Sequence, residues 1–193
     1  MRTLLASLAL IGTSALADTW MAPTPNVVSS RDAQTVVRLD PVSPGEHQKG
    51  AKPTATVTKW SGKTNSYRFV VRVPLRNPYG PVTAVITNDT RFLVTFDDWG
   101  HVGTTENAVV IYDLKKHTAH NYRIEDFLHE SFRDKLQRST SSIAWREQPY
   151  VIEWDHTISV TLLGTEPDRN GFRPSVIIDP ARNKIKLETK DKP

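Results

Sequence analysis

The chain has 193 residues and no cysteine, with 25 Lys and Arg against 21 Asp and Glu for a formal net charge of +4. Without cysteine there are no disulfides and no lipidated cysteine of the bacterial lipoprotein kind, and a chain this long buries enough core to fold without such staples. The charge is too mild, and too free of basic runs interleaved with aromatics, to point to nucleic acid.

Arg2 precedes an apolar run over 4–11, and Ala15-Leu16-Ala17 stands just before Asp18. This is the pattern of an export signal cleaved after Ala17. The run is shorter than the ~20 residues that span a bilayer, and no later stretch reaches that length, so no membrane span is expected. The expected organisation is a signal peptide at 1–17 and a single β-repeat domain at 18–193, placed in the bacterial periplasm or outside the cell.

After a lead-in containing Pro23 and Pro25, strands are expected at 26–30 and 35–40, then an exposed Pro- and Gly-bearing loop over 41–53. The next pair is 54–60 and 67–75, joined by Ser61-Gly62-Lys63-Thr64-Asn65. The Ser-Gly-Lys-Thr of this turn is not a phosphate loop, since Val57 stands where the motif needs glycine and a strand follows instead of a helix. A hairpin over 82–97, strands at 108–113 and 120–123, and strands at 143–145, 150–153 and 157–163 follow. From 124 to 137 the period changes: Ile124, Phe127, Leu128, Phe132 and Leu136 share one face at helical spacing, which predicts a covering helix.

A phrase recurs through this series. Residues 85–97 align without a gap on 176–188, and 27–40 follows the same plan with one residue inserted. Each reads as an apolar strand, a polar turn and a second alternating strand ending in an acid, which is a repeated β-hairpin. Grouped with its neighbours, it gives about three four-stranded antiparallel units. Closed propellers typically need at least 4 blades, so the expected fold is mainly β, an incomplete propeller-like stack or a curled sandwich.

Two places gather chemistry. The loop after the second hairpin holds Asp97, Asp98, Trp99, His101, Glu106 and Asn107, a candidate ligand site that matches neither the calcium-loop nor a zinc spacing. Asp97, Asp98, Glu106 and His101 would also be the acid–base groups of an envelope-glycan hydrolase. On the strand at 67–75, alternation places Arg68, Arg72 and Arg76 toward solvent and Tyr67, Phe69, Val71, Val73 and Leu75 toward the core. Such a row suits an anionic polymer, and Arg138 among Ser139-Thr140-Ser141-Ser142 is a further anion candidate. Trp60, Trp145 and Trp154 read as core or hairpin anchors. No complete catalytic motif, metal set or cofactor signature is present.

Pro81 to Asp89, Phe92 to Trp99, Gly103, Val109 to Asp113, Ile124-Glu125-Asp126-Phe127-Leu128 and Arg138 to Ser142 with Trp145 resemble a group of exported bacterial proteins with β-propeller-like repeats. Ala17-Asp18-Thr19-Trp20 with Pro23, Pro25 and Val27-Val28-Ser29 resembles their mature N-terminus. The resemblance implies the architecture and carries over no catalytic residue. The expected role is non-enzymatic binding or scaffolding in the envelope, with an anionic polymer or another protein as partner; the protein-interaction or inhibitor role and the hydrolase are the alternatives.

Overall fold

In the computed structural model, which describes residues 21–152, 156–167, 169 and 171–189, the chain is mainly β and its sheets are antiparallel. The first sheet is the meander β1 (Asn26–Ser29), β2 (Thr35–Asp40), β3 (Thr54–Ser61) and β4 (Ser66–Pro74). The second is β5 (Pro81–Ile86), β6 (Phe92–Asp98), β7 (Val109–Asp113) and β8 (Thr118–Tyr122). A two-stranded ribbon, β9 (Gln137–Arg138) with β10 (Ile143–Ala144), precedes the third meander. That meander is β11 (Tyr150–Val151), β12 (Ile158–Thr161), β13 (Ser175–Asp179) and β14 (Lys184–Glu188). The expected signal peptide, Trp20, Trp154 and the end of the tail lie outside the described residues.

Three four-stranded units are therefore present, but the repeated phrase occupies different places in them. The first two copies are the opening hairpins β1–β2 and β5–β6. Their turns are wired alike: the Ser30 and Thr87 hydroxyls accept the N–H of Thr35 and Phe92 at 2.9 and 3.0 Å, and Ala33 and Thr90 take positive φ. The third copy is the closing hairpin β13–β14. It turns like β3–β4 and β7–β8, through four residues ending in left-handed Asn183, Asn65 and His117. Asn tolerates that conformation best among non-glycine residues.

Hydrophobic patterning sets the layers. In β6, Phe92, Val94 and Phe96 face one core while Leu93 faces the other; in β7, Val109 and Ile111 are set against Val110 and Tyr112 in the same way. The first core joins the second sheet to the third through Val151, Ile158, Val160, Val176 and Ile178. The other joins it to the first sheet through Val37, Leu39, Ala55, Val57 and Val73. The second sheet is thus the middle layer, and β6 and β7 are buried along their whole length.

Two expectations need correction. The covering helix at 124–137 is instead a 3-10 turn (Ile124–Asp126) followed by a four-residue helix, α2 (Glu130–Arg133). Ile124, Phe127, Leu128 and Leu136 are buried as the spacing implied. Extended His129 divides the segment and caps α2 by accepting the Ser131 N–H on its ring. Helices of this length are marginal on their own, so the contacts of the anchors decide the path. In the 41–53 loop, Pro44–Gln48 forms a short helix, α1, with a Ser43/Glu46 capping box and Pro44 in its first turn. Those local signals were present in the sequence.

Candidate functional site

The loop after β6 is folded inward rather than displayed. Asp97 is fully buried, at φ 58°. Its Oδ1 accepts the Gly103 N–H at 2.9 Å and the Trp145 indole N–H at 2.8 Å. Its Oδ2 accepts the Arg146 Nε–H at 2.8 Å and is ion-paired with Nη2 of the same guanidinium, also at 2.8 Å. Arg146 also lies over the Phe96 ring, 4.9 Å from its centroid. Burial pushes the Asp97 carboxyl upward against the pull of Arg146, Trp145 and Gly103. Three donors and an ion pair on one carboxylate make this an anchor for the chain entering the third sheet.

Asp98 faces another set of groups. Its carboxylate accepts the Asn77 amide at 2.9 Å and the Asn107 amide at 3.0 and 3.1 Å. Asn77 accepts from the Thr95 hydroxyl, and Asn107 accepts from Asn121, whose own carbonyl takes an Arg76 guanidinium N–H. This polar chain, buried at Asn77, Thr95, Asp98 and Asn107 and reaching the surface at Arg76, ties β5–β8 to the segment after β4, and each amide is used on both sides.

The remaining loop residues part company. Trp99 donates its indole N–H to the Met21 carbonyl at 2.9 Å and, with exposed His101, lines a small cleft against Met21, Pro23 and Tyr79. Glu106 is exposed and lines a different cleft. The six loop residues therefore do not converge, and the four acid–base groups of the hydrolase alternative have no common pocket. Among the described residues no cluster of His, Asp and Glu is arranged to hold a metal.

The arginine row is also broken. β3 and β4 pair Val57 with Val71 but Thr58 with Phe69, so Val70 is an extra residue in β4. A bulge shifts alternation by one. Arg72 stays opposite Thr56, whereas Arg68 stands opposite Lys59, on the other face. The same shift leaves Phe69 67% exposed and Tyr67 43% exposed, where the unbroken alternation placed both in the core. Tyr67 packs edge-on against Trp60. Arg138 is exposed on the small ribbon, far in sequence from the others and outside both clefts described above.

Arg72 and Arg76 meet instead in a cleft of about 570 Å³ between the first two sheets. Its walls are the end of β4, the α1 loop with His47 and Lys52, and the β7–β8 hairpin with His117. Its floor is the end of the inter-sheet core, Leu75, Tyr112 and Leu114. Arg72 donates Nε and Nη2 to the Thr54 hydroxyl at 3.2 and 3.0 Å, and the Tyr112 hydroxyl accepts the Arg76 backbone N–H at 2.7 Å. Burial pushes Tyr112 up to about 12, so it stays neutral. Asp113 at the rim is occupied by Arg91 at 3.2 Å and by two backbone N–H groups.

No protein-family model matches the chain, and no curated protein is found as a relative. The site must be read from its own residues. One signal in them escaped pattern reading: between Glu46 and Asp89 there is no acidic residue, while Lys49, Lys52, Lys59, Lys63, Arg68, Arg72 and Arg76 all fall there. Those seven cations exceed the charge surplus of the entire chain. None makes a salt bridge among the described residues. The signal lay in a missing residue type, which motif reading does not look for.

Proposed function

We propose that the protein is an exported, non-enzymatic binding module of the bacterial envelope, working in the periplasm or outside the cell. Its three meanders act as blade-like units of a propeller-like stack, in line with the resemblance carried by its sequence. Its partner is an anionic envelope polymer, received on the first sheet. The observation that carries this reading is the acid-free stretch from His47 to Asn88, whose seven cations make no salt bridge among the described residues. Cations of this density without close ion pairs create a local positive potential that draws in polyanions and weakens as salt rises.

Around the turn of the β3–β4 hairpin, Lys59, Lys63 and Arg68 are all exposed. Titration of the full chain with polygalacturonate and with polyphosphate tests the reading. Both are expected to raise the melting temperature at low salt, as any ligand of the folded state does. The rise should fade by about 0.3 M salt, where the screening length is only several Å. A Lys59→Ala/Lys63→Ala/Arg68→Ala variant should lose most of it. Absence of any rise with either polymer at low salt would sink the proposal. Fusing residues 1–17 to a reporter that is active only outside the cytoplasm tests export, and an inactive fusion would refute it.

A further inference from the structure

We infer that the cleft between the first two sheets is a specific site for a small amphiphilic anion, a phosphate or carboxylate head on a short apolar body. The inference rests on the anion-binding reading above and narrows it to one place and one ligand chemistry. At about 570 Å³ the cleft is in the range of small-molecule sites. Such sites combine an apolar lining with a few polar groups that fix orientation, and this one divides in that way.

The head is received by Lys52, Arg72 and Arg76, which approach from the α1 loop and from β4 and its continuation. Lys52 makes no hydrogen bond or ion pair among the described residues, so binding an anion displaces no partner of its own. Arg72 donates only to a neutral hydroxyl, a bond weaker than one to phosphate or carboxylate. Arg76 is held in place by Asn121 and by its backbone bond to Tyr112, which presets its guanidinium. The apolar body lies on Leu75, Leu114 and the Tyr112 ring, where the core between the two sheets comes to the surface.

The acids of the cleft set limits. Asp113 is neutralised by Arg91 and Lys116. Glu106 makes no ion pair among the described residues and repels an anion weakly from its exposed position.

Calorimetric titration of the full chain with hexyl phosphate, inorganic phosphate and hexanol separates head from body. Hexyl phosphate is expected to bind about tenfold or more tightly than inorganic phosphate, because part of a six-carbon chain leaves water. Hexanol should show no saturable binding. Lys52→Ala and Arg72→Ala should each weaken hexyl phosphate by about fivefold or more through loss of a charge-assisted contact. Glu106→Gln should tighten it by about twofold. Thr118→Trp, on the exposed start of β8 where it lines the cleft, should block it while leaving polyphosphate binding to the β3–β4 hairpin intact. Melting temperatures of all variants establish that each is folded. Equal affinity for hexyl phosphate and inorganic phosphate, or unchanged hexyl phosphate binding in Thr118→Trp, would overturn the inference. If polyanions bind and hexyl phosphate does not, this inference alone fails; if neither binds, the broader reading fails with it.

Discussion

Removing the Asp97 carboxylate tests whether it is an anchor or a spare acid. Asp97→Ala strands the Trp145 and Gly103 N–H donors and the Arg146 guanidinium, all now bonded at 2.8 to 2.9 Å. Arg146 has a side chain only 7% exposed, so its charge has no route to full hydration. Breaking a buried ion pair from one side destabilises by about 3–5 kcal/mol. Alanine at φ 58° adds about 1 kcal/mol of backbone strain. With a urea dependence of about 2 kcal/mol per molar, the unfolding midpoint should fall by about 2 M. Circular dichroism and Trp fluorescence across a urea series read this directly. Asp97→Asn keeps one acceptor oxygen but turns an amide NH₂ toward the guanidinium, and should lose about 2–3 kcal/mol. A cycle with Arg146→Met should give a coupling above about 1.5 kcal/mol. A midpoint for Asp97→Ala within about 0.5 M of the wild type would mean that the carboxylate is not structural, refuting the reasoning.

Gly103→Ala should be nearly as damaging, by about 2–4 kcal/mol, because φ is 65° and the new Cβ would sit 2.8 Å from the Ile143 carbonyl and 2.9 Å from Trp145; thermal unfolding measures it. Burial works to raise the Asp113 carboxyl, but the Lys116 N–H and the Arg91 guanidinium outweigh it and hold the group below the usual carboxylate range. A depressed value means stability that is present above the unfolded-state pKa and lost as pH falls through the folded one. The stability gap between wild type and Asp113→Asn should therefore be constant above about pH 5 and shrink below about pH 4, as urea midpoints at a series of pH values would show. Ser43→Ala removes the cap of α1 and should lower the melting temperature by about 2–4 °C, corresponding to about 1 kcal/mol.

What the sequence disclosed was what is local. The strand at 35–40 has its predicted limits because Thr35-Val36-Val37-Arg38-Leu39-Asp40 alternates cleanly between turn residues. The three four-stranded units were countable for the same reason. The helix at 124–137 had the right buried residues and the wrong path, since spacing reports which side chains are apolar and not how the core beneath them curves. The bulge at Val70 was hidden because an extra residue is defined only against its partner strand, and it reversed the faces of Arg68, Tyr67 and Phe69. Asp97 looked like chemistry for a similar reason. Its decisive partners, Trp145 and Arg146, are 48 and 49 positions away, and no local pattern announces a bond of that range.

The placement of the second sheet between the other two has a consequence for the order in which the molecule can open. With both faces of β6 and β7 committed, their amides can meet solvent only after an outer sheet has departed, so they should be the last to exchange hydrogen for deuterium. The outer sheets have no such double protection, and either can loosen while the other stays docked. The same geometry makes the middle layer dependent on strands synthesised after it: until β11–β14 exist, Phe92, Val94, Phe96 and Ile111 have no apolar cover from the third sheet. A chain cut short before β11 would leave that face covered only by residues such as Ile124, Phe127, Leu128 and Trp145, a partly open and aggregation-prone β surface, which makes the third sheet the closure on which the solubility of the other two depends.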